Sequence, residues 1–136
     1  MIPMTAVVSG TPYYVLLDGN RRVGPHVVKS HWGIECSSIY GFSDKKPYEN
    51  FQANSQLPLT PYPLVKMYLR NEANTSGEGL KLVVLDAPGP DEQCLLAATH
   101  QAVLEAQEEQ ATHVTAAYRL IFDPQIHAYT VEAATA

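Results

Sequence analysis

Hydrophobic and polar positions alternate through much of the chain, and the alternation predicts strands before it predicts anything else. Residues 13–18, YYVLLD, are aromatic and aliphatic; Gly19-Asn20 follows, and RRVGPHVV returns. Such side chains suit a pleated, half-buried surface, and Gly-Asn suits a two-residue hairpin loop. Pairing Asp18 with Arg21 places opposite charges side by side and sets Tyr13 opposite His26. Pro25 cannot donate to a ladder, so the return strand is expected to lie at an edge or to end early. In residues 31–42, HWGIECSSIYGF, Trp32, Ile34, Cys36, Ser38, Tyr40 and Phe42 form one alternating set. Trp32, Cys36, Ile39 and Tyr40 also fit helical spacing. Two glycines and the aromatic content favour a strand with Cys36 on its apolar face.

Residues 43–63, SDKKPYENFQANSQLPLTPYP, hold four prolines and no sustained period. They predict a long loop, pinned to the core by Tyr48, Phe51 and Tyr62 because aromatic rings seek burial. Leu64–Arg70 and Leu80–Asp86 read as two strands of a hairpin joined by the turn-rich NEANTSGEG. A long helix is then predicted over about residues 90–111: Gly89 caps it, Pro90 takes the first position, and Asp91 and Glu92 face the positive end of its dipole. Leu95, Leu96, Thr99, Ala102, Val103 and Ala106 form its inner stripe. Val114 to Phe122 alternate, Asp123-Pro124 is a turn, and Ile126–Glu132 return. The architecture predicted is α+β: a mainly antiparallel sheet of about five to seven strands with one long helix packed on one face.

A chain of 136 residues is expected to form a single domain over 1–136. With 46% hydrophobic and 17% charged residues, it has the means to bury a core. The start, MIPMTAVVSG, lacks Lys or Arg ahead of a long apolar run, so no secretory signal is expected, and no apolar run has the length of a membrane span. Two cysteines, Cys36 and Cys94, make no disulfide framework, and a cytoplasmic location with reduced thiols follows. Net charge is −5 and unevenly spread: seven Lys and Arg against four Asp and Glu in residues 1–70, two against ten in residues 71–136. The acidic balance speaks against nucleic acid, which needs clustered cations for its phosphates. The contrast between halves suits salt-sensitive contact with a protein partner or with a second copy.

Candidate chemistry is sparse. His31, Glu35 and Ser37 fall on or near the polar side of one strand and are the candidate catalytic set. Cys36 points the other way, and a thiol among apolar neighbours is inert. The histidines lack metal spacing; no CxxC, HExxH or G-x-S-x-G occurs, and DAPGPDE offers three acids where an anion cradle needs glycine. No metal and no cofactor is expected. Residues 13–26, with DGNRRVGPH, are similar to the opening of GYF-type proline-binding modules; His26 replaces their aromatic, Trp32 comes too soon and YGF at 40–42 has another order, so no family follows. The reading is a non-enzymatic binding or accessory protein acting through protein contact, with Tyr13, His26, Tyr48, Phe51 and Tyr62 as contact residues. The alternative is a small-molecule binder or small enzyme with a pocket between helix and sheet.

Overall fold

The computed structural model describes residues 8–27, 36–74 and 79–133. Strand is the main element, with three short helices among the described residues. The order is β1 (Val8–Gly10), β2 (Tyr14–Asp18), β3 (Arg21–Arg22), β4 (Cys36–Gly41), α1 (Lys45–Asn54), β5 (Thr60–Pro63), α2 (Lys66–Asn74), β6 (Leu80–Leu85), β7 (Cys94–Thr99), α3 (His100–Glu108), β8 (His113–Thr115), β9 (Tyr118–Asp123) and β10 (Ala128–Ala133).

Five strands in the order β10-β9-β7-β6-β4 form a half-barrel, antiparallel except for the parallel pair β4–β6. Residues 23–27 lie across its open side. The Val23 carbonyl accepts from Tyr40 N at 2.9 Å, the His26 carbonyl accepts from Tyr129 N at 2.9 Å, and Val27 bridges Tyr129 in parallel. Gly24 sits where this segment passes β4. A Cβ there would fall 1.9 Å from the Ser38 carbonyl oxygen, so the close approach admits no side chain. A three-stranded sheet, β3-β2-β5, joins the half-barrel where Tyr14 pairs with Phe42, and β1 pairs with β8 separately.

Two cores result. On the concave side Tyr40, Leu82, Val84, Leu95, Ala97, Leu120, Tyr129 and Val131 meet, and Phe42 and Phe51 close the cluster. On the other side Val83, Leu85 and Ala98 pack with Leu69 of α2 and Val103 and Leu104 of α3. The strand β6 is therefore buried on both faces, which is why LKLVVL shows an apolar run rather than alternation.

The single long helix at 90–111 is not formed, and the sheet is mixed rather than mainly antiparallel. Residues 94–99 are a strand: CLLAAT sends Leu95 and Ala97 to one core and Ala98 to the other, and an apolar run buried on both faces carries no period to distinguish it from helix. The helix α3 begins only at His100, where the Thr99 hydroxyl accepts from Ala102 N at 3.1 Å. Segment 43–63, expected as a loop, holds α1 and β5. Asp44 caps α1, and Pro47 falls in the first turn, where its missing N–H costs nothing. Leu64–Arg70, expected as a strand, mostly belongs to α2, while β6 forms as expected. Asp18 does pair with Arg21, but the ladder stops at Arg22, so Tyr13 does not face His26. The closing hairpin turns at Asp123-Pro124.

Candidate functional site

Three places on the molecule carry chemistry. The first is an apolar surface around β5. Tyr13, Tyr62, Val65 and Met67 are 40%, 45%, 43% and 66% exposed. Leu64 N donates to the Tyr13 carbonyl at 2.8 Å, which joins the start of β2 to the end of β5 and fixes the bonding pattern between them. Hydrogen-bonded pairs alternate along an antiparallel ladder. Val15–Tyr62 and Leu17–Thr60 are therefore bonded pairs, and Pro61 and Pro63 turn their nitrogens outward. The free edge of β5 thus lacks N–H donors at those two positions. The base of this surface is rigid: the buried Gln107 amide donates to the Pro12 and Leu64 carbonyls at 2.9 and 3.1 Å, each one residue before an exposed member.

The second place is one end of the half-barrel, beneath the β6–β7 loop. Two cavities of about 180 Å³ each meet Pro90. Tyr40 and Phe51 line one, and Tyr129 and Phe122 line the other. Burial, with Tyr129 and Asp91 nearby, pushes the Tyr40 phenol far above its usual range, and burial beside Glu92 and Asp91 raises Tyr129 as well. Both phenols stay protonated at neutral pH.

The third is a polar cleft of about 250 Å³ between α2, β6 and the start of α3, bordered by Glu72, Lys81, Thr99 and His100. Lys81 and Glu72 pair at 3.2 Å. His100 is 4% exposed, and neither ring nitrogen has a hydrogen bond of good geometry. Burial lowers its pKa; the Lys81 backbone and the Glu72 carboxylate oppose that shift. Tyr68 lies between the His100 ring, 5.8 Å away, and the Arg22 guanidinium, 3.7 Å above its own ring.

A Ser–Asp contact ties the carboxyl ends of β4 and β6. Asp86 accepts from Ser43 N at 2.7 Å and from Ser43 Oγ at 2.6 Å, and its backbone lies in the left-handed region at φ 48°. With both carboxylate oxygens taken by Ser43, the contact acts as a clamp between strand ends. Among the described residues no group of three or more His, Cys, Asp or Glu gathers as a metal set.

His31 and Glu35 lie outside the described residues, and Ser37 is exposed on β4. Tyr13 and Tyr62 share the apolar surface. His26 is exposed, and its carbonyl serves the β10 edge. Tyr48 packs edge-on against Tyr14, and Phe51 is buried against Tyr40 and Phe42. Cys36 is half-buried at the head of β4, on the apolar side expected for it. Val65, Met67, Gln107 and the Tyr40–Tyr129 pair carry no motif. Their exposure or convergence depends on elements far apart in the chain. Comparison with known proteins finds no matching family model, no matching curated protein and no matching solved structure.

Proposed function

We propose that this is a non-enzymatic binding or accessory protein that works by contact with another protein, through the face bearing Tyr13, Tyr62, Val65 and Met67. The observation that carries the reading is the exposure of four large apolar side chains around one short edge strand. Exposed apolar residues brought near one another by the pairing of β2 with β5 and the start of α2 suit a surface that a partner covers, whereas apolar residues scattered singly need no explanation. The outward prolines shape the mode of contact. A partner strand gains no N–H donors from Pro61 or Pro63, so binding rests on side chains rather than on strand addition. Tyrosine and methionine suit such a surface, the one as a rigid amphipathic contact and the other as an adaptable one. The test is capture from lysate with the wild-type chain and with Tyr62→Ser/Met67→Ser, both checked for an unchanged cooperative melt. A protein recovered by the wild type and lost by the double variant supports the assignment. Equal recovery by both overturns it.

A further inference from the structure

We propose that residues 88–92 of the β6–β7 loop are a lid over a small-molecule site at this end of the half-barrel, and that the ligand is a flat, uncharged aromatic molecule carrying a carbonyl-type oxygen. The inference does not depend on the protein-contact surface, which lies on other elements.

The geometry begins with Pro90, which lines both cavities. Separately each is too small for more than a fragment. Joined, they reach the lower end of small-molecule sites, about 300 Å³. The stretch 88–92 is built to lift between fixed ends, with Ala87, 2% exposed, packed into the concave core just before it. Asp86 is clamped by Ser43, and the Gln93 carbonyl accepts from Phe122 N at 2.9 Å. Between these ends Pro88 and Pro90 have no N–H to donate. Two side chains hold the middle: Asn54 Nδ2 donates to the Pro88 carbonyl at 2.9 Å, and the Tyr129 hydroxyl donates to the Glu92 carbonyl. The first is solvent-exposed and the second part-buried; each is one neutral hydrogen bond, and a ligand oxygen can replace the second.

The same groups define what fits. Lifting the loop frees the Tyr129 hydroxyl, a donor left over an apolar floor, and a ligand oxygen takes the place of the Glu92 carbonyl. Tyr40 supplies a second protonated hydroxyl. Aromatic rings cluster on both sides: Tyr40 lies 4.5 Å from Phe51, and Tyr129 lies 5.4 Å from Phe122. Such walls select a flat ring system. Asp91 and Glu92 stand on the lid itself, and Asp18 at the rim is offset by Arg21, so an anionic ligand is disfavoured.

The experiment uses the neutral naphthyl ketone 6-propionyl-2-(dimethylamino)naphthalene, whose fluorescence reports an apolar site, with the anionic anilinonaphthalene sulfonate as comparator. The wild-type chain is expected to bind the ketone saturably and in preference to the sulfonate. Tyr40→Phe is expected to bind it about fivefold more weakly, the loss of one neutral hydrogen bond. The decisive variant is Asn54→Cys/Gly89→Cys in a Cys94→Ser background. A Cβ at Gly89 would lie 3.0 Å from Asn54 Cβ, close enough for a disulfide after a small adjustment. Oxidation then locks the lid and reduction releases it in the same folded protein. Binding by the reduced form and loss in the oxidised form support the proposal. Equal binding by both forms, or no saturable binding of the ketone by the wild type, overturns it.

Discussion

His100 is the residue whose burial has the plainest consequence. It opens α3, yet it is enclosed, with neither ring nitrogen in a hydrogen bond of good geometry, and Tyr68, Glu72 and Lys81 face it. Its folded pKa lies below the usual value of 6.5, mainly through burial. Well above pH 6.5 the ring is neutral in both folded and unfolded chains. As pH falls from there, the unfolded chain takes up a proton that the folded one resists. Stability is therefore full above the unfolded pKa and is lost on acidification toward the folded one, with a slope of up to about 1.4 kcal/mol per pH unit for this group. His100→Phe keeps a ring beside Tyr68 and removes the proton. Urea denaturation at pH 7.5 and 5.5 is expected to show a smaller stability difference between the two pH values for the variant than for the wild type. An equal difference would mean that His100 does not titrate in this way. Nothing in the sequence around His100 marks it. Its neighbours Tyr68, Glu72 and Lys81 come from two other elements, α2 and β6.

At the level of elements, β5 shows how four residues can be misread. Among the prolines of segment 43–63, Pro61 and Pro63 suggest a loop, because proline is rare in strands. Edge strands are the exception, provided the ladder bonds fall on the other residues. Here Thr60 and Tyr62 carry the pairing with β2, and the prolines face out. Restoring donors by Pro61→Thr/Pro63→Thr leaves the ladder to β2 intact and opens the outer edge to strand pairing. The variant is expected to shift toward dimers or larger species in sedimentation velocity as concentration rises, while the wild type shifts less. Identical sedimentation would show that the prolines do not guard the edge. A related lesson comes from β7 and α3. CLLAATHQAVLEAQE is apolar enough throughout its first half to be helix or central strand. The boundary at Thr99 follows from β7 pairing with β6 and β9 on either side, long-range bonds that no local pattern encodes.

For the whole molecule, the segment Val23–Val27 decides the shape. By bonding Tyr40 at one end and Tyr129 at the other, it joins the two edges of the half-barrel and covers the concave core. Gly24 is the point of closest passage. Gly24→Ala is expected to destabilise by at least about 3 kcal/mol, beyond the range for ordinary overpacking, since the clash is with backbone and cannot be relieved by a rotamer change. Amide exchange should then quicken at Tyr40 and Tyr129, whose N–H groups bond this segment, before it quickens in Leu82–Leu85. A variant with wild-type stability and exchange would show that the crossing is looser than the 1.9 Å approach implies.

Local chemistry sufficed for some of this structure. The Gly19-Asn20 turn with Asp18 opposite Arg21, the strand character of residues 36–41 and 80–85, the apolar side of Cys36 and the turn at Asp123-Pro124 all rest on neighbours within a few residues, where steric preference and period act directly. Tertiary structure decided the rest. It made CLLAAT a strand, gave the Pro-rich segment a helix and an edge strand, ran β4 parallel to β6, and gathered Tyr40, Tyr129 and the β6–β7 loop at one end of the half-barrel. The physical reason is common to these cases. Two-sided burial erases the hydrophobic period, and the choice of partner strand depends on contacts that only the closed fold brings together.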